Sequence, residues 1–282
     1  MTIAELLKAG ERQLLDAGIG EAKTDAYLLL HYLTEKDRTF IFAHGDSEVS
    51  RADELTYREW LAKRSEHVPL QHIVGETEFM GLPFYSNPMA LIPRIDTEFL
   101  VEEILKQLPD GAKVLDLCTG SGCILLSLMC YKKGIEGTAS DISGRAIDLA
   151  RMNEARLRRL GRLDGKITYC RCDLFEEIGG TYDLIVSNPP YIRTSEIETL
   201  MEEVRVYEPR IALDGSEDGL YFYREIAEKA GDHLNREGRI FLEIGAGQGR
   251  DVKGILESKG YRDVEIKRDY AGNERVASCL NR

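Results

Sequence analysis

From residue 111 onwards, short apolar segments alternate regularly with segments of helical length. Predicted strands cover residues 113–118, 136–140, 167–172, 182–187, 239–244, 264–268 and 276–280, and predicted helices cover residues 123–130, 143–160, 218–237 and 249–259. Strands that alternate with helices are typical of a parallel sheet covered by helices on both faces. The pattern therefore predicts an α/β fold with a doubly wound sheet, in which ligands bind beyond the carboxyl ends of the strands.

The first 74 residues have the apolar spacing of helices instead. Two groups share it: Ile3, Leu6, Leu7, Gly10, Leu14 and Leu15, and then Ala26, Leu29, Leu30 and Leu33. A third amphipathic segment around Trp60 is expected to end before His67-Val68-Pro69, because a proline stops a helix. We therefore predict a helical bundle in residues 1–74, a β-hairpin linker in residues 75–93, and the α/β domain in residues 94–282.

Composition excludes several classes of protein. The chain has 282 residues, 37 basic and 49 acidic, and a net charge of -12. Nine basic and fifteen acidic residues up to residue 85 leave -6 there and -6 in the remainder, so neither part is a basic module for coating nucleic acid. No stretch approaches the roughly 18 apolar residues of a membrane span, and the first residues lack the features of a signal peptide. We expect a soluble, cytoplasmic protein.

The cysteines and histidines are not spaced like metal ligands. The six cysteines form no C-x-x-C pair, and the five histidines form no H-E-x-x-H motif. We therefore predict reduced, mostly buried thiols and no structural metal.

A glycine-rich turn follows the first strand of the α/β region. Its sequence is Asp116-Leu117-Cys118-Thr119-Gly120-Ser121-Gly122. Glycine lets a backbone approach a ligand closely, and the helix that follows presents free N–H groups. The dinucleotide fingerprint needs a third glycine where Leu125 stands, which weakens the case for a pyrophosphate cofactor. Asp141 ends the second strand, where its carboxylate could accept both ribose hydroxyls of a nucleoside; alternatively, it caps the next helix.

The most specific motif is Asn188-Pro189-Pro190-Tyr191, directly after the fourth strand. Two successive prolines fix the backbone and donate no hydrogen bonds, so nearby carbonyls are free to accept. The Asn188 amide oxygen and the Pro189 carbonyl could accept the two hydrogens of a planar NH2 group, with the Tyr191 ring against its face. The alternative is a turn that merely ends the strand.

Together these motifs resemble a known family. An Asn-Pro-Pro-Tyr sequence behind a glycine-rich turn resembles S-adenosylmethionine-dependent amino-methyltransferases. Further segments are similar to the peptide chain release factor glutamine methyltransferases, the PrmC/HemK family: residues 91–98 (LIPRIDTE), 208–213 (EPRIAL), 218–224 (DGLYFYR), 242–249 (LEIGAGQG) and 269–275 (DYAGNER). The resemblance extends from about residue 70 to the end of the chain.

The resemblance implies a Rossmann-like class I methyltransferase sheet of seven strands, the last of them antiparallel. It also implies methyl transfer from S-adenosyl-L-methionine to the side-chain amide nitrogen, N5, of the glutamine in the Gly-Gly-Gln motif of class I release factors. The helical bundle would bind the substrate protein. No membrane takes part, and direct binding of nucleic acid is not expected.

The resemblance assigns roles to individual residues. Substrate binding is assigned to Asn188, Pro189, Pro190 and Tyr191, with Asn188, Pro189 and Tyr191 also catalytic. Cofactor binding is assigned to Cys118, Thr119, Gly120, Ser121, Gly122, Asp141, Asp173, Leu174 and Asn188. Within this set, the segment from Thr119 would hold the methionine part, Asp141 the ribose, and Asp173 and Leu174 the adenine.

Three residues depart from the family pattern. Ile95 stands where proline is common, and Leu174 stands where some members have a larger aromatic residue. Cys118 replaces a common glycine, so we expect an ordinary, negative φ there. Glu98, Glu208 and Glu243 recur in the matched segments and could support the pocket or be architectural.

Other functions remain open at this point. An amino-methyltransferase of nucleic-acid bases, acting on adenine N6 or guanine N2, could use the same acceptor motif, but it usually needs a basic surface. A nicotinamide-dependent oxidoreductase would suit the sheet but leaves the Asn-Pro-Pro-Tyr motif unexplained. A non-catalytic binding protein would have no need of both intact motifs.

Overall fold

The computed structural model describes residues 1–282. The helices are α1 (Ile3–Asp16), α2 (Ala22–Thr34), α3 (Arg38–Ala43), α4 (Arg51–Ser65), α5 (Leu70–Val74), α6 (Ile95–Leu105), α7 (Cys123–Tyr131), α8 (Gly144–Arg159), α9 (Glu202–Tyr207), α10 (Tyr221–Lys229) and α11 (Gly249–Ser258). The strands are β1 (Glu76–Phe79), β2 (Leu82–Tyr85), β3 (Lys113–Leu117), β4 (Glu136–Asp141), β5 (Lys166–Arg171), β6 (Tyr182–Ser187), β7 (Leu234–Glu243), β8 (Arg262–Arg268) and β9 (Glu274–Leu280).

The chain divides into two compact units. Residues 1–76 and 201–207 form the first, and residues 77–200 and 208–282 form the second. None of the helices combines the length and the apolar character that crossing a bilayer requires.

The first unit is a helical bundle around an apolar core from α1, α2 and α4. The side chain of Thr2 accepts a hydrogen bond from the Glu5 N–H, and the Glu5 carboxylate accepts one from the Thr2 N–H; this capping box starts α1. Helix α4 ends at Ser65, before Pro69, because the chain turns at His67, which has a φ of 60°. The expected end before His67-Val68-Pro69 is therefore confirmed, and Pro69 itself precedes α5 as its N-cap.

A buried ion pair joins three helices of this unit. Arg64 on α4 lies 2.7 Å from Asp25 on α2 and 2.9 Å from Glu203 on α9. Burial raises the pKa of Asp25, although the hydrogen bond and positive charge of Arg64 oppose the rise. Loss of Arg64 would leave both Asp25 and Glu203 without their counter-charge, so these two ion pairs contribute to the specific arrangement of the bundle.

The second unit contains a seven-stranded sheet in the order β5-β4-β3-β6-β7-β9-β8. The first five strands pair in parallel, and β9 runs antiparallel to both of its neighbours. This confirms the predicted doubly wound sheet with an antiparallel last strand. The strand order reverses between β3 and β6, so ligands are expected at the carboxyl ends of these two strands.

Strand register brings three loops to one level. Leu117, the last residue of β3, pairs with Ser140 of β4 on one side and with Ser187 of β6 on the other. The residues that follow each partner, Cys118 and Asn188 among them, therefore leave the sheet side by side.

One predicted helix, over residues 218–237, is too long. Helix α10 ends at Lys229, a 3-10 turn covers Ala230–His233, and β7 begins at Leu234. The cause is tertiary pairing, since Leu234 already aligns with Tyr182 of β6. Helix α6, which the apolar spacing did not predict, covers one face of the sheet.

Strands β1 and β2 form a hairpin whose turn, Met80-Gly81, has positive φ at both residues. This matches the twist of a two-residue hairpin turn. The hairpin backbone at Tyr85 donates to the Asn153 side chain on α8 at 2.7 Å, and the Asn153 amide donates to the Ser121 carbonyl at 3.0 Å. The hairpin is thus tied to the glycine-rich turn through one buried asparagine.

Replacing Gly10 with alanine should destabilise the helical unit. A Cβ atom at Gly10 would lie 2.5 Å from the Tyr57 hydroxyl oxygen, and that hydroxyl is buried and donates to the Ala26 carbonyl. Such overpacking typically costs about 1–3 kcal/mol. Urea unfolding followed by circular dichroism measures the change. The matched control is Gly254→Ala on α11, where a Cβ meets no atom within 4 Å; it should be neutral or stabilising by up to about 1 kcal/mol. Equal effects of both changes would contradict the steric argument.

Candidate active site

The carboxyl ends of β3, β4 and β6 surround a cavity of about 310 Å3. Its walls include most of the residues singled out from the sequence: Cys118, Thr119, Gly120, Ser121, Asp141, Asp173, Leu174, Asn188 and Pro190. Gly122, Pro189 and Tyr191 do not line it. The cavity is therefore bounded by three consecutive strand ends and not by a single motif.

The glycine-rich turn forms the floor of the cavity. Cys118 has a φ of 56° and Gly120 a φ of 55°, so two left-handed residues lie close together directly after β3. The expectation of a negative φ at Cys118 is wrong. The turn requires this conformation because Thr119 must donate its N–H to the Ser140 carbonyl at 3.0 Å and Gly120 its N–H to Asp141. The left-handed conformation costs a non-glycine residue roughly 1 kcal/mol or more.

The glycine at position 122 is required by the start of α7 and by its packing against α8. It is the N-cap of α7 with a φ of 80°, and a Cβ there would lie 3.0 Å from Leu126 and 3.1 Å from Ala150 on α8. The glycine therefore permits close packing of α7 against α8. That packing gives the turn a rigid support beneath the cavity.

Asp141 is held with its carboxylate at the cavity wall. One oxygen, Oδ2, accepts the Gly120 N–H at 2.9 Å, and Oδ1 accepts the Ser143 N–H at 2.9 Å. The cap of α8 is Ser143, whose hydroxyl accepts the Ala146 N–H, so Asp141 does not cap this helix. Burial raises the pKa of Asp141, and the two N–H donors oppose the rise. Each carboxylate oxygen keeps a second lone pair for a ligand hydroxyl.

The far wall of the cavity is mainly apolar. Leu174 has a φ of 48°, and its carbonyl accepts the Ser140 hydroxyl at 3.1 Å, which anchors the turn after β5. Ile142 and Ala146 line the same region as Asp173 and Leu174. An apolar wall next to the Asp173 carboxylate suits a planar heterocycle that carries hydrogen-bond donors.

Asn188 closes the opposite end of the cavity. Its Nδ2 donates to the Thr97 hydroxyl at 3.3 Å, which leaves Oδ1 as the acceptor that a ligand can reach. Tyr191 is turned away: its hydroxyl donates to Glu243 Oε1 at 3.4 Å, and its carbonyl accepts from Gln248 Nε2 at 3.1 Å. Burial raises the pKa of Tyr191, so its hydroxyl keeps its proton.

Sequence reasoning missed several residues of the site. Thr97 lines the cavity beside Asn188, and Ile211, Tyr221 and Phe222 line its rim. Thr97 belongs to the Leu91–Glu98 segment that carried part of the family resemblance, so that segment was the available signal.

Glu243 lies beneath the site and is fully buried. Burial raises its pKa to about 7, although the hydrogen bond from Thr97 and the charge of Arg275 lower it.

The other two glutamates of the matched segments support the same region. Glu98 accepts the Met80 N–H of the hairpin, and Glu208 pairs with Arg94. Arg94 lines the cavity, so Glu208 helps to hold one wall. No group of three or more His, Cys, Asp or Glu side chains is arranged to hold a metal ion.

The whole cavity combines three kinds of surface. It has an apolar wall next to a carboxylate, a floor formed by the glycine-rich turn, and an end lined by the Asn188 amide. Such a site can hold a nucleoside-containing ligand on one side and present the hydrogens of a planar amino group on the other.

Two protein-family models and many curated proteins match this chain. The family described as "PrmC N-terminal domain" matches residues 5–75, and the family described as "Methyltransferase small domain" matches residues 94–207. A release factor glutamine methyltransferase of Clostridium acetobutylicum is 40% identical over 261 residues, which cover 91% of this chain and 90% of that protein. Its counterpart in Geobacter sulfurreducens is 38% identical over 276 residues, 98% and 95% of the two chains.

Among solved structures, a methyltransferase from Pyrococcus furiosus is similar to this chain with a TM-score of 0.51. The similarity covers 72% of this chain and 89% of that one, at 21% identity. It supports the architecture of the sheet.

Asp116, directly beneath the glycine-rich turn, should make stability fall with rising pH. Burial raises its pKa from 3.8 to about 7, although the Thr119 hydroxyl donates to it at 2.6 Å. The folded state therefore holds this proton more tightly than the unfolded state, so the contribution is present below pH 4 and is lost as pH rises through about 7. Between pH 5 and pH 8, wild type should lose about 3 kcal/mol relative to Asp116→Asn. Urea unfolding of both proteins at the two pH values measures this; parallel pH profiles would contradict the assignment.

Proposed function

Because the chain belongs to the family of release factor glutamine methyltransferases, we propose that its cavity holds S-adenosyl-L-methionine beside the glutamine of a bound release factor. The enzyme transfers the methyl group to the side-chain amide nitrogen, N5, of that glutamine. The observation that carries the assignment to this cavity is the position of Asn188, which lines the same cavity as Asp141 and the glycine-rich turn and has its Nδ2 occupied by Thr97.

The cavity residues fit the cofactor. Asp141 has lone pairs directed at the cavity and is fixed by two backbone donors, which suits a ribose diol. The apolar wall beside Asp173 and Leu174 has the polarity for adenine. The segment Thr119–Gly122 would hold the methionine part, because glycine lets the backbone approach a ligand closely.

Methyl transfer requires mainly that the amide nitrogen and the methyl carbon are correctly oriented. An amide nitrogen is a weak nucleophile because its lone pair is delocalised into the carbonyl. The cofactor supplies an activated methyl group on a sulfonium, so the protein has to align nitrogen with that carbon. Correct orientation can supply up to about 7–11 kcal/mol in favourable cases.

Asn188 and the backbone of the Pro189 segment support the reacting nitrogen. Positive charge develops on that nitrogen as the new bond forms, so its hydrogens become stronger donors. Acceptors placed in advance therefore stabilise the transition state more than the ground state. We assign this role to Asn188 Oδ1, on the cavity wall, and, as the family resemblance implies, to the carbonyl of Pro189, with Tyr191 bracing the turn from behind.

We propose that the substrate is the Gly-Gly-Gln loop of class I release factors and that the reaction takes place in the cytoplasm. A glycine-rich loop has little side-chain bulk, which suits entry beside Pro190 into a cavity of this size. A neutral carboxamide needs no counter-charge, and Asn188 offers it a neutral partner.

Methylation of a nucleic-acid base is not favoured. Such a substrate carries phosphates, and enzymes that bind it usually present a basic surface. This chain has a net charge of -12. Its local basic residues on and after α8 include Arg158, which pairs with Glu154, and Arg151, which lies near Asp148 and over the Tyr169 ring.

Labelled methyl transfer tests the function. Incubation with labelled S-adenosyl-L-methionine and a class I release factor should label the factor, and replacement of its loop glutamine should abolish the label. Asn188→Ala should lower kcat by about 100-fold or more, as expected for loss of a preorganised polar partner, with cofactor affinity within a few-fold. A kcat within threefold of wild type would refute the role of Asn188. Label in ribosomal RNA or DNA instead of the factor would refute the substrate.

We also propose that the helical unit, residues 1–74, binds the body of the release factor. Its surface exposes large apolar side chains: Phe42 is 57% exposed and stacks on Tyr27. Exposed aromatic side chains of this kind are enriched in protein interfaces.

Phe42→Glu should raise KM for the intact release factor about tenfold, because a charged group would be buried at the interface. The KM for a short peptide with the Gly-Gly-Gln sequence should stay unchanged, since such a peptide lacks the surface that the helical unit would contact. Leu160→Glu, at a residue 53% exposed in the second unit, is the control. Steady-state kinetics with both substrates measures the difference. An unchanged KM for the intact factor would count against the proposal.

A further inference from the structure

Two buried polar side chains lie directly behind Asn188. Thr97, in the first turn of α6, is 2% exposed, and Glu243, the last residue of β7, is 1% exposed. Thr97 accepts a hydrogen bond from Asn188 Nδ2 at 3.3 Å, and its hydroxyl lies beside the Glu243 carboxylate, whose buried Oε2 accepts from no other side chain. The three side chains form a row that leads from the cavity into the core.

The direction of these hydrogen bonds follows from the chemistry of the groups. An ionised carboxylate only accepts, so the single hydrogen of the Thr97 hydroxyl must point to Glu243. The hydroxyl can then only accept from Asn188. The Asn188 amide must therefore turn its NH2 group inward, which leaves its oxygen facing the cavity.

The other neighbours of Glu243 also favour a carboxylate that accepts the Thr97 hydroxyl hydrogen. Tyr191 donates its hydroxyl hydrogen to Glu243 Oε1, and the charge of Arg275 stabilises the ionised carboxylate. Arg275 is itself placed by Asp96, at 2.9 Å, and Asp269, at 3.1 Å. Asp96 precedes Thr97, so the same ion pair also holds the start of α6 next to Asn188.

We propose that Thr97 and Glu243 are positioning residues that set the orientation of the Asn188 amide and thereby commit its oxygen to the NH2 group of the substrate glutamine. This inference rests on the proposed function. It explains why the Asn188 side chain presents its oxygen, and not its NH2 group, to the substrate. With the amide reversed, its NH2 group would face the substrate NH2 group, and two donors would oppose each other without an acceptor between them.

Thr97→Val tests the proposal, because valine keeps the shape and removes the hydroxyl. The amide of Asn188 then has no partner that distinguishes its two ends. We expect kcat for the release factor to fall about tenfold, in line with the loss of a hydrogen bond in a buried site. Cofactor affinity, measured by calorimetry without turnover, and the urea midpoint should stay close to wild type. Thr97→Ser restores the hydroxyl and should recover most of the kcat.

Glu243→Gln tests the charge at the end of the row. A glutamine can donate as well as accept, so it no longer dictates the direction of the Thr97 hydroxyl. For wild type, kcat should rise with pH as Glu243 loses its proton, and the Gln variant should have a low kcat without that rise. The titratable or charged groups that face Glu243 from the surrounding elements are Asp96, Cys123, Tyr191, Tyr223 and Arg275. None of these is removed in the variant, so the difference reports Glu243.

The outcomes separate this inference from the function itself. If wild type transfers label to the release factor and Thr97→Val keeps its kcat, the positioning role is wrong and the function stands. A Thr97→Ser kcat as low as that of Thr97→Val, or equal losses in kcat and folding stability, would also overturn the role. If wild type transfers no label to a release factor, the proposed function fails first.

Discussion

The pairing of β3 with both of its neighbours is the constraint on which the rest of the site depends. Leu117 is aligned with Ser140 on one side and with Ser187 on the other. Because the three strands are parallel and in register, their last residues lie at one level, and the chain must leave the sheet at three adjacent points. A one-residue shift in register would reverse which face each side chain points to. The cavity therefore follows from backbone hydrogen bonding before any side chain contributes to it.

Much of this arrangement could be predicted from the sequence. Buried parallel strands are short apolar runs, and punctuation by glycine and proline marks their ends, so the loops after β3, β4 and β6 could be placed at one edge of the sheet. Asp141 and Asn188 were identified because a carboxylate and an amide next to such ends have few structural reasons to be there. The order of the strands and the antiparallel β9 agree with the family resemblance.

What could not be predicted depends on contacts between distant parts of the chain. Thr97 and Asn188 are 91 residues apart, and Tyr191 and Glu243 are 52 apart. Periodicity describes neighbours along the chain, so it does not predict these contacts. It also does not predict the end of α10, because β7 begins where pairing with β6 becomes possible. Backbone strain is equally hidden, because the left-handed φ of Cys118 follows from the hydrogen bonds of its neighbours and not from its own preference.

The cysteine at position 118 has a consequence for the reactivity of the site. A sulfur atom beside an electrophilic methyl donor would be at risk of alkylation if it were a thiolate, since the thiolate is the nucleophilic form. Burial, and next the negative charge of Asp141, raise the pKa of Cys118. The thiol therefore keeps its proton, so a methyl donor bound in this cavity as proposed would not alkylate Cys118, although this residue lines the cavity.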